Sequence, residues 1–424
     1  MRLLLQSSIL DQLLYALSIR SFIMAPTFNP RVPKRGKLRQ VLKRPASAKH
    51  KEWQRVPYVR DPNAVHPGRA DRQKWKRALP DLVKTSSASL VAMLRADGLL
   101  PKWEGALCPH CHRGSLGKLK PKTKEPGAIP KHRCSFWKCH VCINPHHAHP
   151  LFVEGTGNAS TPLATQAAML LLLLNRVPHA AIHRLLHVNH KAIENMDRRL
   201  CHLREAWVLD KEKNICFGQG QKWADVEADE ATFDRMVVGE AVHWEQWCGI
   251  MQRGKPSTLV LHRLKPLPAK LRAPGPGAVR KVEWQPLAKK WLQDRNIILH
   301  TDSAKSYKAT VPGVLHDRVI HKKQRIKVGT KFRWIAPKYV EMKCHKVPGS
   351  KKIIKTKSGT QMIDRCWRYL KERLNINQNC RVGSRMLKMK LRSAQYEYWC
   401  RGQDLWISTG QLIQWFMSST VQAA

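Results

Sequence analysis

Three aspartates next to apolar segments are the residues of this chain best suited to bind divalent metal ions. Asp229 lies in the acid-rich stretch WADVEADEATFDRM at 223–236, and Asp302 follows the apolar run NIILHT. Asp364 falls on a helix predicted over about 360–374. We expect the two strands to end at Asp229 and Asp302, so two strand-end carboxylates and one helix carboxylate could together hold two ions. Carboxylate oxygens suit Mg²⁺ or Mn²⁺, and two such ions suit phosphodiester chemistry.

The same acids could instead be ion-pair partners, because the chain is strongly basic. It contains 76 Lys+Arg against 30 Asp+Glu, with a formal net charge of +46. The other four acids of the stretch are predicted to lie at the surface or to support Asp229: Asp225, Glu227, Glu230 and Asp234.

This charge predicts a polyanionic partner, because a compact domain with such an excess repels itself. Nucleic acid is the first candidate, and double-stranded DNA is the partner we expect. An anionic membrane is the rival, but the chain lacks a long basic amphipathic helix with an aromatic apolar face. The longest apolar run, AAMLLLLL at 167–174, is shorter than the ~20 residues a span needs. We therefore expect no membrane association.

Two CxxC pairs predict a structural Zn²⁺ site. CPHC contributes Cys108 and Cys111, and CHVC contributes Cys139 and Cys142. Two such turns direct four thiolates toward one tetrahedral ion, as in a zinc ribbon. A mixed Cys/His set and no metal at all are the alternatives. The rival ligands are Cys134, His110, His112, His146, His147 and His149.

The segment 160–210 is predicted to form three helices joined by short turns. Pro178 suits the start of the second helix, and Asn189 can cap the third. A short helix, a turn and a longer helix with a basic face describe a helix-turn-helix, although a plain three-helix bundle fits the same pattern. The candidate DNA-contacting residues on the third helix are Lys191, Asn195, Arg198 and Arg199.

The expected fold is α/β, in four consecutive regions. Residues 1–84 are basic and predicted to be largely disordered; residues 1–23 could be a transit peptide or an over-extended start upstream of Met24. The zinc-ribbon region follows at 85–155, the helix-turn-helix at 160–210, and a strand-rich domain at 220–418. Within that domain, residues 265–279 are predicted to be a Pro/Gly loop, and 318–357 form a second basic run.

In this order, the motifs resemble those of Merlin-type DDE transposases and their bacterial insertion-sequence relatives. The matching stretches are ADEATF, ILHTDSAKSY, VIHKK and GTQMIDRCWRYLKERL, and the resemblance covers roughly residues 100–418. It implies an RNase H-like catalytic core that cuts and joins DNA with two Mg²⁺. By motif match Asp229, Asp302 and Asp364 would be the catalytic acids, and His321 would lie near a phosphate or metal.

The resemblance departs from the family at the third acid, which is usually Glu followed by Trp and Lys. This chain has Asp364, then Trp367 and Lys371. Asp is one methylene shorter, and a misplacement of ~1 Å can cost ~100-fold in a positioned reaction. The family also implies binding to transposon terminal inverted repeats, a homo-oligomer in the synaptic complex, and a nuclear location in a eukaryotic host. The rivals are a catalytically inactive DNA-binding descendant and a structural zinc protein that binds RNA.

Overall fold

The computed structural model describes residues 55–64, 74–121, 128–155, 161–220, 222–266, 268–374 and 380–421. Most of the predicted disordered N-terminal region, including residues 1–23 and the basic run at 33–44, lies outside these ranges. The helices in chain order are α1 (Leu79–Val83), α2 (Ser87–Ala96), α3 (Leu163–Leu174), α4 (His179–Leu186), α5 (His190–Glu212), α6 (Lys281–Trp291), α7 (Gln361–Lys371), α8 (Arg385–Trp399) and α9 (Leu405–Val421).

Twelve strands accompany these helices within the described ranges. They are β1 (His132–Arg133), β2 (Cys142–Ile143), β3 (Ala224–Val238), β4 (Ala241–Gln252), β5 (Val260–Arg263), β6 (Pro268–Lys270), β7 (Ile297–Thr301), β8 (Val314–Arg318), β9 (Gln324–Val328), β10 (Lys331–Ile335), β11 (Glu341–Lys346) and β12 (Ile353–Ser358). The predicted strands around 243–263 and 295–302 and the helix at 360–374 are confirmed.

A mixed sheet forms the centre of the molecule, in the order β5-β4-β3-β7-β8. Strands β3, β4 and β5 are antiparallel, whereas β7 and β8 run parallel to β3. This arrangement is consistent with an RNase H-like core. The short strand β6 pairs with β4 at the sheet's margin, so part of the predicted Pro/Gly loop at 265–279 is ordered as a strand.

Strand β3 is longer than predicted. We expected a strand that ends in a loop at Asp229, but β3 continues to Val238 and pairs with β4 along that length. A two-residue turn joins the strands, with Gly239 at a φ of +59°, where glycine has no steric penalty. Asp229 therefore lies within a paired strand, and its backbone is held by β4.

The two faces of the sheet bury different helices, as the alternation along β3 requires. Val226 and Ala228 point to the face covered by α6. Ala231 and Phe233 point to the opposite face, where they pack with α7 and α8. Asp225, Glu227 and Asp229 share the parity of Ala231, so all three carboxylates face the α7 side.

A separate helical core contains the three predicted helices of the 160–210 segment, which are confirmed as α3 to α5. The Asn189 side chain caps α5 by accepting from the Lys191 backbone N–H at 2.8 Å. The core does not end with this segment, because Trp406 and Ile413 of α9 are buried in it together with α1 and α2. Within the described residues, no helix is both long and apolar enough to cross a membrane.

Candidate active site and thiol cluster

Strand register places Asp229 beside Asp302. Strands β3 and β7 are parallel and pair Glu227 with His300. Asp229 lies two residues beyond Glu227 in β3, and Asp302 is the first residue after β7, two residues beyond His300. Neighbouring strands lie about 4.8 Å apart, and the charge of Asp302 acts on Asp229. The Asp302 carboxylate turns back to accept the Ala304 backbone N–H at 2.8 Å, which fixes the bend after β7.

Glu227 attaches helix α7 to the same strand. One of its carboxylate oxygens accepts the backbone N–H groups of Met362 and Ile363, at 2.8 and 2.9 Å. These donors lie in the first turn of α7, where backbone N–H groups lack helical partners and favour an anion. Asp364 is the next residue, so the bond from Glu227 to the helix brings the third aspartate to the sheet edge.

Trp367 completes the attachment one turn later. Its indole Nε1–H donates to Asp229 at 3.1 Å, and its ring packs on the strand. The residue opposite Asp229 on β4 is Gly249, and a Cβ placed there would lie 2.6 Å from the Trp367 ring. The glycine thus leaves the space that lets the indole reach the carboxylate.

The three aspartates have neutral hydrogen-bond donors. Asp229 receives the indole N–H, Asp302 a backbone N–H, and Asp364 the Thr360 hydroxyl at 3.2 Å. Across the described ranges, no Lys, Arg or His forms an ion pair with any of them. In so basic a chain, this leaves three carboxylates without a cationic partner.

Electrostatics show that the three carboxylates act on one another. Burial, and then the negative charges of Glu230, Asp364 and Asp302, hold the pKa of Asp229 well above its usual range. Asp364 is exposed at the rim, yet partial desolvation and the charges of Glu227 and Asp302 also raise its pKa, against the Thr360 hydrogen bond. A divalent cation would relieve this repulsion and displace the proton.

The remaining acids of the 223–236 stretch are more buried than predicted. Asp225 and Glu227 are 6% and 0% exposed, so the expectation that they lie at the surface is wrong for these two. Glu227 pairs with the buried Arg253 at 2.6 Å and accepts the Tyr58 hydroxyl at 2.7 Å. A carboxylate that is completely buried in charged form requires such a partner.

Asp225 is neutralised by a second network. It binds Arg60 at 2.7 Å and His300 at 3.0 Å, and although burial opposes ionisation, these partners hold its pKa at about 2. The other His300 nitrogen contacts Asp317 at 2.8 Å. His300 therefore bridges two buried carboxylates, with one at each ring nitrogen.

Glu230 lies on the opposite face of the sheet and accepts the Tyr307 hydroxyl. His321, the predicted accessory histidine, is partly buried and close enough to Asp364 for its charge to lower that residue's pKa. Its Nε2 is buried with no hydrogen-bond partner among the described residues. His321 is therefore available to a ligand beside Asp364.

The carboxylates fit hard divalent cations by their chemistry. Within the described residues, only a thiol cluster brings three or more potential ligand atoms within 4.8 Å of one another. The three aspartates are thus near one another but more widely spaced, as expected for like charges.

That thiol cluster contains Cys108, Cys111, Cys134 and Cys139. The Cys108 and Cys139 sulfurs are 3.9 Å apart, and those of Cys111 and Cys134 are 3.6 Å apart. Zn–S bonds of about 2.3 Å in a tetrahedron require sulfurs about 3.8 Å apart. Backbone N–H groups of Gly114 and Arg113 lower the pKa of Cys111 to about 6, which favours the thiolate. The cluster fits a structural zinc ion.

The predicted fourth ligand, Cys142, lies outside this cluster, and Cys134, one of the alternative ligands, occupies the fourth position. Cys142 lies in β2, paired with Arg133, and its thiol contacts the His140 carbonyl. The turn that brings two thiols together is Cys134–Cys139, closed by the Cys139 N–H bonding the Phe136 carbonyl. The CxxC spacing of 139–142 is interrupted by the strand, which carries Cys142 away.

The proposed DNA-contacting residues lie on the outer side of α5. Lys191, Arg198 and Arg199 are exposed, and Asn195 is partly buried. The side-chain amide oxygen of Asn195 accepts a hydrogen bond from the Arg198 guanidinium at 2.8 Å, so these two side chains form one polar patch. The arrangement leaves basic groups free on this face, while the apolar face of α5 packs in the helical core.

Two solved structures are similar to part of the chain: the mariner Mos1 paired end complex with Mg and the Mos1 strand transfer complex. Each is 13% identical and covers 37% of this chain, and the chain spans 56% and 55% of those proteins, little over half their length. The TM-scores of 0.13 and 0.11 are too low to support an argument about fold or function. No protein-family model and no curated protein sequence matches the chain.

Proposed function

We propose that this protein is a DDE-type DNA transposase that uses Asp229, Asp302 and Asp364 for metal-dependent cleavage and strand transfer. The observation that carries the proposal is a set of three neighbouring carboxylates with no cationic partner among the described residues, in a chain of charge +46. Asp225 and Glu227, on the same face of this strand, are paired with Arg60 and Arg253, so Asp229 is the exception on that face and calls for a cation from outside.

The chain's own residues would position the reaction. Asp229 and Asp302 are held by the sheet, and Glu227 and Trp367 hold Asp364's helix against them. Two Mg²⁺ or Mn²⁺ ions bound there would activate the attacking oxygen and stabilise the leaving one. His321 would contact a DNA phosphate near Asp364. Terminal inverted repeats would be recognised by the zinc-binding region and by α5, in a homo-oligomeric complex in the nucleus of a eukaryotic host.

A cleavage assay tests the proposal. The substrate is DNA carrying the inverted repeats that flank the gene, with Mg²⁺ or Mn²⁺. We expect wild type to cut and Asp229→Ala to lose cleavage at least 1,000-fold while DNA affinity stays within about threefold, because catalysis rests on positioning and charge. Glu240→Gln, at the exposed turn of the same hairpin, is the matched control and should retain activity. Equal loss of binding and cleavage would overturn the assignment.

The third acid separates the active enzyme from the inactive descendant. If wild type cuts and Asp364→Ala does not, Asp364 is a working ligand. If only Asp364→Glu cuts, the shorter side chain of Asp364 is the reason that wild type is inactive. If wild type, Asp364→Ala and Asp364→Glu all bind DNA but do not cut it, the result supports a DNA-binding protein without catalysis.

We also propose that Cys108, Cys111, Cys134 and Cys139 hold one structural zinc ion. Metal analysis of the purified full chain should find one zinc per chain in wild type and in Cys142→Ser. Cys134→Ser should contain no zinc, or should bind zinc at least tenfold more weakly when it competes with a chelating dye. The reverse pattern would restore the two CxxC pairs as the ligand set.

A further inference from the structure

An exposed two-stranded ribbon lies between Asp302 and Asp364 in the sequence. Among the described strands, β9 and β10 pair only with each other, and a two-residue turn that contains Gly329 joins them. Every residue from Arg325 to Arg333 is exposed. This segment belongs to the predicted basic run at 318–357, whose sequence gave no sign of a separate hairpin.

One face of the ribbon combines aromatic rings with cations. The register sets Phe332 opposite Lys327 and Trp334 opposite Arg325, and directly opposed residues share a face. Phe332 and Trp334 are 55% and 56% exposed. The Arg325 guanidinium lies 3.7 Å from the Phe332 ring centre, and the Lys323 ammonium lies 5.2 Å from that of Trp334.

These rings could simply stabilise the hairpin through cross-strand contacts. That role would favour rings packed against a core, however, whereas Phe332 and Trp334 are both exposed. The ribbon also carries Arg325, Lys327, Lys331 and Arg333 with no acidic residue. Open rings among unopposed cations have the features of a surface that stacks on bases and contacts phosphates.

The root of the ribbon lies at the acidic site. The Lys338 backbone N–H bonds the Ile320 carbonyl at 3.0 Å, which closes the root, and the His321 ring lies 5.2 Å from that of Tyr339. The Tyr339 carbonyl oxygen lies against Gly359, the residue before Thr360, whose hydroxyl donates to Asp364. Anything bound along the ribbon can therefore extend to the carboxylates.

We propose that the ribbon Gln324–Ile335 binds unpaired DNA nucleotides beside the acidic site, with Phe332 and Trp334 stacking on bases and Arg325 and Lys327 contacting phosphates. Unpaired nucleotides fit better than a duplex, because a duplex hides the base faces that open rings recognise. An acidic protein would use the cations but leave the rings unexplained. The inference rests on the proposed function, since it takes DNA as the substrate.

The test measures binding to the zinc-loaded full-length protein without added Mg²⁺ or Mn²⁺, so that it does not depend on cleavage. The probes are three labelled oligonucleotides of one sequence: a blunt duplex, a duplex with a single-stranded overhang, and a single-stranded RNA. The variant is Phe332→Leu with Trp334→Leu, which keeps the strands apolar. The matched control is Ile326→Ala with Val328→Ala on the opposite face, and circular dichroism and melting temperature check folding.

We expect the double leucine variant to bind the overhang about 10- to 100-fold more weakly, in line with base–aromatic stacking, while blunt-duplex affinity stays within twofold. The control should leave both affinities unchanged. Removing Arg325 and Lys327 together should reduce the dependence of log affinity on log salt by about 0.7 for each lost phosphate contact.

Three results would overturn the proposal: equal weakening for duplex and overhang, an effect of the control as large as that of the variant, or wild-type preference for the RNA. Absence of cleavage in the separate assay would overturn the transposase proposal alone. A selective loss of overhang binding would still support the ribbon in that case.

Discussion

Strand β3 carries three carboxylates on one face, and they have opposite surroundings. Asp225 and Glu227 are buried and paired with Arg60, His300 and Arg253. Asp229, two residues beyond Glu227, has an indole N–H and other carboxylates around it. The first two hold the strand to its neighbours and to α7. On this face of the strand, the two carboxylates that hold the fold together have basic partners among the described residues, and Asp229 has none.

The largest expected effect comes from removing a structural charge. Glu227→Gln should lower the free energy of unfolding by about 3–5 kcal/mol, because Arg253 is left as an unpaired buried cation and α7 loses an anion at its first turn. Urea unfolding would measure this. Glu372→Gln breaks an exposed pair with Arg368 on the same helix and should cost under about 0.5 kcal/mol. Similar costs for the two variants would contradict the contrast.

A smaller effect should follow from filling the space opposite Asp229. Gly249→Ala places a methyl group against the Trp367 ring, and overpacking costs about 1–3 kcal/mol. The displaced indole would shift Asp229, so cleavage should fall about 100-fold. Gly275→Ala is the control, because nothing lies within 4 Å of its added Cβ. Unchanged stability and cleavage in Gly249→Ala would show that Trp367 does not position the site.

The smallest effect has the opposite sign. Asp229→Asn removes the repelled charge and should raise the free energy of unfolding by about 1 kcal/mol at pH 8 without added Mg²⁺ or Mn²⁺. The folded-state pKa of Asp229 is raised, so the folded protein binds more protons and wild-type stability falls as pH rises through that pKa. Melting curves at several pH values should therefore separate the proteins more at pH 8 than at pH 5. A stability gain that is larger at pH 5 would contradict a raised pKa.

Much of the candidate site was predictable because it depends on strand direction and local apolarity. The pattern around NIILHT predicted a buried strand that carries Asp302, and β7 with its parallel pairing to β3 provides it. The helix bearing Asp364 was equally visible, because Ile363, Trp367 and Leu370 recur at helical spacing and all are buried.

The differences between prediction and structure have another cause. In each case residues of the same chemical type fit the sequence pattern equally well, and only the three-dimensional contacts distinguish them. Cys142 and Cys134 have the same chemistry, and only the pairing of β1 with β2 excludes the former. Asp225 and Glu227 resemble surface acids until the arginines and histidine that meet them are known. Those partners are separated from β3 by up to 165 residues along the chain, beyond the reach of any local pattern.

The helical core has a consequence for the order of events during synthesis. Trp406, Leu412 and Ile413 are buried against residues that begin at Leu82, so almost the whole described chain separates the two sides of this contact. The part of this core that α9 covers stays exposed until α9 has left the ribosome. Such long-range closure slows folding and leaves intermediates exposed to aggregation. A C-terminal truncation would therefore damage the first-made part of the protein.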